Sequence, residues 1–156
     1  MGKNFTRMGG VIIDPSHCWH IAIGDNVVLA PRVHILAHDA STKIFLGYTR
    51  VANTRIGNNV FIGAGSIVLP GVSIEDNVIV GAESVVRQNV PDNSVAVGNP
   101  AKIICSLDDY LNRQSKKRKQ GNVFDGSYTL RNPKFSEQQR KILFQACEKY
   151  GESFLE

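Results

Sequence analysis

Four histidines, His17, His20, His34 and His38, are the residues of this chain best suited to proton chemistry, and all lie in its first quarter. An imidazole changes charge near physiological pH. In its neutral form it can take a proton from an alcohol as a general base. His38 stands out by position. In ILAHDAS it follows an aliphatic segment and opens a polar stretch, where a side chain can face outward into a cleft. A plain surface histidine is the alternative reading of the same position. The second ring nitrogen of a base needs an orienting acceptor, which the adjacent Asp39 or a backbone carbonyl can supply. A zinc centre of three imidazoles is not expected, because no histidine follows His38 and later segments have none to offer. No metal site is demanded by these residues. The three cysteines, Cys18, Cys105 and Cys147, are too few and odd in number for a disulfide framework. A reducing, cytoplasmic setting is expected.

The elements that must position His38 follow from a six-residue period. Residues 56–91 divide into IGNNVF, IGAGSI, VLPGVS, IEDNVI, VGAESV and VRQNVP. The first column is Ile56, Ile62, Val68, Ile74, Val80 and Val86, all β-branched. The fifth is Val60, Ser66, Val72, Val78, Ser84 and Val90, all small or β-branched. An earlier block keeps the phase, with Ile23, Leu29 and Ile35 in column one and Val27 and Val33 in column five. Neither a helix nor a simple strand has a period of six. One short strand plus one turn does, and glycine in column two is expected to supply turn dihedrals. Three units make an 18-residue coil, and stacked coils align their columns into a continuous core. One unit cannot bury its own face, so the repeat implies an all-β solenoid.

The period breaks once. Ile35 and Ile56 are 21 residues apart, so HDASTKIFLGYTRVANT, residues 38–54, is expected to leave the coil as an excursion loop, where function concentrates. The repeat domain is placed at residues 1–105 and a C-terminal extension at 106–156. In the extension, Ser106 with Asp109 and Ser136 with Gln139 read as capping boxes. They predict a short helix after Ser106 and an amphipathic one through Leu143, Cys147 and Tyr150, closed by Gly151. Residues 115–135 read as a polar loop.

Net charge is +4 at pH 7. Residues 1–105 carry eight Lys/Arg against seven Asp/Glu, and 106–156 carry ten against seven. The excess sits around Lys116, Lys117, Arg118 and Lys119, with no interleaved aromatics. The run reads as a solvated segment, and no nucleic-acid partner is expected. No apolar run is long enough for a membrane helix, and MGKNFTRMGG has no apolar h-region, so neither a membrane span nor a secretory signal is expected.

The pieces IGNNVFIGAG, Pro70-Gly71-Val72, GAESVV and GNPAK, within residues 20–105, resemble the hexapeptide-repeat acyltransferases, in particular the galactoside/maltose O-acetyltransferase branch and the surface-polysaccharide acetyltransferases. The resemblance implies a left-handed parallel β-helix with an excursion loop, here followed by the C-terminal helical extension. It implies acetyl transfer from acetyl-CoA to a hydroxyl of a sugar or polysaccharide precursor, with His38 as the catalytic base at the start of the loop. Sugar-nucleotide N-acetyl transfer and a non-catalytic scaffold are the alternatives. By motif, Ala64 and Ala82 match backbone contacts to pantetheine, Arg87 and Gln88 the pair that follows, and Lys102 a basic residue at CoA phosphate. A homotrimer with active sites between subunits is implied, with no metal. On the acceptor side the resemblance thins. About ten residues precede Val11 where those enzymes carry a helical segment, and Asp14 and Trp19 are the residues expected to meet the acceptor. Trp19 can stack on a sugar face or cap the top coil.

Overall fold

The computed structural model describes residues 1–155. Two compact units divide at Met1–Asp108 and Asp109–Glu156. The first is the repeat. Its strands are mostly two residues long and end on the column-one aliphatics, as in Phe61–Ile62, Ile67–Val68, Ser73–Ile74, Ile79–Val80 and Val85–Val86. Each pairs in parallel with its counterpart one coil away, Ile56 with Ile74, Ile62 with Val80 and Val68 with Val86. Three parallel-stranded sheets result, the largest ending in an antiparallel partner, Lys102–Ser106 on Ser94–Val97.

Column-one and column-five residues are all buried. These aliphatic side chains, mostly Ile and Val, fill a continuous strip, the dominant stabilising term. Two column-five positions are serines. Ser66 and Ser84 each donate from Oγ to the Gly81 carbonyl at 2.8 Å, so the buried hydroxyls are satisfied.

The turn dihedrals do not lie in column two. Positive φ occurs in column four, at Asn59 (54°), Gly65 (70°), Gly71 (87°), Asn77 (57°) and Glu83 (54°). Column-two glycines serve close approach instead: a Cβ on Gly63 would stand 2.5 Å from the Ala82 backbone nitrogen one coil away. Along one corner the left-handed asparagines form an amide ladder. The Nδ2 groups of Asn4, Asn26, Asn59 and Asn77 donate in turn to Asn26, Asn59, Asn77 and Asn93 at 2.8–3.2 Å.

The excursion interrupts one coil. Leu29 pairs with Ile62 and Ile35 with Val68, each 33 residues on rather than 18. The extra fifteen residues are 38–52, closed at their root by the Ala52 N–H donating to the Ala37 carbonyl at 2.9 Å. Excising them would leave Ile35 and Ile56 six residues apart, one repeat unit. His38–Asp39 and Arg50–Val51 pair antiparallel at the base. Near the tip, α1 (Lys43–Leu46) ends on left-handed Gly47.

Helix α2 spans Leu107–Gln120, so the basic run lies on a helix and not in the polar loop expected over 115–135. Lys and Arg are good helix formers, and Lys117 pairs with Glu152 at 3.4 Å. In the second unit Asn122–Phe124 and Ser153–Leu155 form a parallel pair. Helix α3 (Glu137–Tyr150) opens with the Ser136–Gln139 capping box and ends at Gly151. Among the described residues no helix is long and apolar enough to cross a membrane.

Candidate active site

The four-stranded sheet carries the candidate site at its strand ends. Ile12–Ile13, His34–Ile35, Ile67–Val68 and Val85–Val86 stack in one sheet. Asp14 follows the first, His38 closely follows the second and Arg87 follows the last. The solenoid thereby brings residues from distant coils to one corner.

Asp14 is fully buried. Its Oδ1 accepts from the Ser16 and His17 N–H groups at 3.1 and 3.2 Å. Its Oδ2 accepts from the Ala37 and His38 N–H groups at 2.9 and 3.0 Å, and from His38 Nδ1 at 2.5 Å. Burial pulls the Asp14 pKa upward, but the Ala37 N–H, the His38 ring and the Ser16 N–H outweigh it and hold the group at about 2. The carboxylate is therefore ionised at neutral pH, and His38 Nδ1 must carry the proton it donates. In the neutral ring the other nitrogen, Nε2, is then the acceptor, the form a general base requires.

This geometry corrects the acceptor assignment of Asp14. A fully buried carboxylate with both oxygens engaged has no face for a substrate, and it orients His38. Asp39, the sequence neighbour considered for that task, turns instead to the Ser41 N–H at 2.9 Å. The signal for Asp14 was an acidic residue directly after a column-aligned strand, which the sequence could not pair with a histidine 24 residues on.

His17 is one of the four histidines noted in the sequence, where its spacing assigns it no role of its own. Its ring lies 4.7 Å from that of His38, and its buried Nδ1 has no hydrogen-bond partner among the described residues and stands 4.0 Å from Asp14 Oδ1. Ligand atoms of Asp14, His17 and His38 fall within 4.8 Å of one another. Four backbone N–H groups and the His38 ring already occupy the carboxylate, so its chemistry is that of a proton-holding pair rather than a metal cage. Trp19 follows at 5.6 Å from the His17 ring and is 72% exposed. His20 Nδ1 lies 2.7 Å from Asn53 Oδ1. His34 lies on the sheet face.

The remaining candidates lie along the later coils. Ala64 and Ala82 occupy equivalent corners one coil apart, linked by the Glu83 N–H donating to the Ala64 carbonyl at 2.8 Å. Gly63 lets these backbones meet. Arg87 and Gln88 are exposed just past Val85–Val86, and Lys102 is exposed at the start of the strand Lys102–Ser106. Ala101 N–H donates to the Val85 carbonyl at 2.9 Å, which ties the GNPAK segment to that coil.

Stacked hexapeptide coils with a buried aspartate holding a histidine at the root of an excursion define the class as a hexapeptide-repeat β-helix protein. Residues 53–88 match the family described as Bacterial transferase hexapeptide (six repeats). The chain is 49% identical over 94 residues to Protein CapG of Staphylococcus aureus, covering 58% of this chain and 55% of that protein. It is 35% identical over 116 residues to the galactoside O-acetyltransferase of Escherichia coli (strain K12), covering 70% and 54%. Among solved structures it resembles a galactoside acetyltransferase in complex with coenzyme A, with a TM-score of 0.64 and 32% identity over 71% of this chain and 56% of that one. The chain belongs to the hexapeptide-repeat acetyltransferases, related to the galactoside O-acetyltransferases and to CapG. It spans about half the length of these curated relatives.

Proposed function

We propose that this protein transfers an acetyl group from acetyl-CoA to a hydroxyl of a sugar or polysaccharide precursor, with His38 as general base. The observation that carries the reading is the Asp14–His38 pair at the junction of coil and excursion. The similarity to a galactoside acetyltransferase solved with coenzyme A supports the donor. His38 Nε2 takes the proton of the acceptor hydroxyl as its oxygen attacks the thioester carbonyl. Ionised Asp14 stabilises the imidazolium that forms and keeps its Nδ1–H fixed. The tetrahedral intermediate then breaks its C–S bond, and the Nε2 proton passes to the departing CoA sulfur. A backbone N–H aimed at the developing oxyanion completes the chemistry.

Ala64 and Ala82 would let pantetheine approach the backbone, Arg87 and Gln88 would meet the far part of the donor, and Lys102 would meet a CoA phosphate. Trp19 would face the acceptor. A homotrimer suits the excursion tip, where Ile44, Phe45, Leu46 and Tyr48 are 57–84% exposed. Contiguous exposed apolar surface of this kind marks an interaction site, and a neighbouring prism would cover it. The test is CoA release from acetyl-CoA in the presence of sugar acceptors, with a thermal-shift titration for donor binding. Sugar-dependent release that His38→Ala abolishes, with donor binding kept, is expected. Release that persists in His38→Ala overturns the assignment, and absence of any donor-induced shift overturns the acetyl-CoA reading.

A further inference from the structure

Beyond His38, the histidine-rich segment carries a second prepared imidazole that the proposed reaction leaves unused. His20 ends the short 3-10 turn Cys18–His20. Its Nδ1 meets Asn53 Oδ1 at 2.7 Å. An amide oxygen only accepts, so His20 Nδ1 carries the hydrogen, and in the neutral ring its Nε2 is an acceptor. His20 is thus set in the same tautomer as His38, by an amide in place of a carboxylate. Asn53 is the first residue beyond the excursion, and the segment it opens returns the chain to the coil.

The rings of this segment cluster around His17. Its centroid lies 4.7 Å from that of His38, 5.6 Å from Trp19 and 6.5 Å from His20, and Trp19 lies 5.9 Å from His20. Beyond Trp19 a shallow pocket is lined by Trp19, His20, Asn53 and Arg55. It offers an exposed aromatic face, an acceptor nitrogen and a guanidinium fork. Stacking on an aromatic plane together with hydrogen bonds to hydroxyls is the chemistry that holds a sugar ring. His38 does not line this pocket; His17 is the ring that touches both it and Trp19.

We infer that Trp19, His20 and Arg55 form a second sugar subsite, separate from the reacting one, so that the acceptor is an oligosaccharide of at least two rings. This rests on the sugar-acceptor reading above. One ring presents its hydroxyl to His38, and the next stacks on Trp19 and donates a hydroxyl hydrogen to His20 Nε2. Asn53 is a positioning residue that acts through the His20 tautomer.

Trp19 is the chain's single tryptophan, so its emission reports this subsite directly. The experiment titrates the full chain with maltose, cellobiose and N,N′-diacetylchitobiose against glucose and N-acetylglucosamine, reading Trp19 fluorescence. CoA release from acetyl-CoA is measured on the same sugars. At least one disaccharide is expected to give a saturable change at tenfold or lower concentration than its monosaccharide unit. His20→Ala and Asn53→Leu are expected to weaken that titration at least tenfold, whereas Asn53→Asp, which restores an acceptor for Nδ1–H, keeps it. An unchanged acetyl-CoA thermal shift in each variant certifies folding. Equal response to mono- and disaccharides, no response to any of these sugars, or a wild-type titration in His20→Ala overturns the subsite. Disaccharide binding without CoA release on any sugar leaves the subsite standing and overturns the transferase reading, so the two failures are distinguishable.

Discussion

Asp14 Oδ2 sits 2.5 Å from His38 Nδ1 across a separation of 24 residues, and the same oxygen also accepts the His38 backbone N–H at 3.0 Å. The carboxylate therefore holds both the ring and the backbone of the proposed base. Ring orientation and loop departure are set by one buried group.

Replacing Asp14 by Asn keeps the shape but supplies an amide in place of a charge. The amide has one acceptor oxygen for the five N–H donors that the carboxylate serves, so its NH2 must face former donors and the His38 imidazolium loses its counter-charge. The turnover of acetyl-CoA with a sugar acceptor is expected to fall about 10²–10⁴-fold, with the acetyl-CoA thermal shift retained. CoA-release kinetics check this. Near-wild-type turnover in Asp14→Asn would show that the pair does not orient a base.

Acid stability follows from the same carboxylate. Its folded-state pKa of about 2 lies below the ordinary 3.8. A depressed carboxylate contributes stability that is present above the unfolded value and lost as pH falls through the folded one. The window is therefore pH 4 down to 2, and the contribution is about 2 kcal/mol. Urea unfolding across that window is expected to lose more stability in wild type than in Asp14→Asn. Parallel pH curves for the two proteins would refute the linkage.

The coil corners make a prediction about asparagine. Asn59 holds φ at 54° and both donates to and accepts from its ladder neighbours. Alanine there loses both bonds and keeps the left-handed strain, whereas glycine loses the bonds and relieves the strain. Asn59→Ala is expected to be less stable than Asn59→Gly by about 1 kcal/mol. Chemical denaturation of the two variants decides it, and the reverse order would place the corner's stability elsewhere.

Close stacking is tested at Gly63. A Cβ there meets the backbone of Ala82, which has no flexible end to move aside. Gly63→Ala is expected to cost about 2 kcal/mol or more. Gly9→Ala, where nothing lies within 4 Å of a new Cβ, serves as the near-neutral control. Equal melting temperatures for the two variants would contradict the packing argument.

The period was legible because column-one and column-five residues answer to one requirement, burial, which the sequence repeats every six positions. The place of His38 at the root of the excursion was legible because the break in that period marks where the chain departs. Asp14 was assigned to the acceptor because its partner is set by coil stacking across an irregular segment, which no spacing rule spans. The column-four corners were passed over although their signal, Asn or Gly four residues into most units, is visible beside the aliphatic columns. The helix over 107–120 was cut short because its polar, basic composition resembles a loop when burial is the criterion, and its helix-forming residue types are the better guide.

The fifteen-residue excursion is closed at its root by the Ala52–Ala37 backbone bond and the short antiparallel pair of His38–Asp39 with Arg50–Val51, and the coil resumes in phase beyond it. The solenoid thus treats the loop as a cassette. Residues past His38 can be lengthened or shortened without shifting the register of any coil, so the side proposed to meet the acceptor can change while the coils that carry the proposed base and donor-binding residues stay fixed.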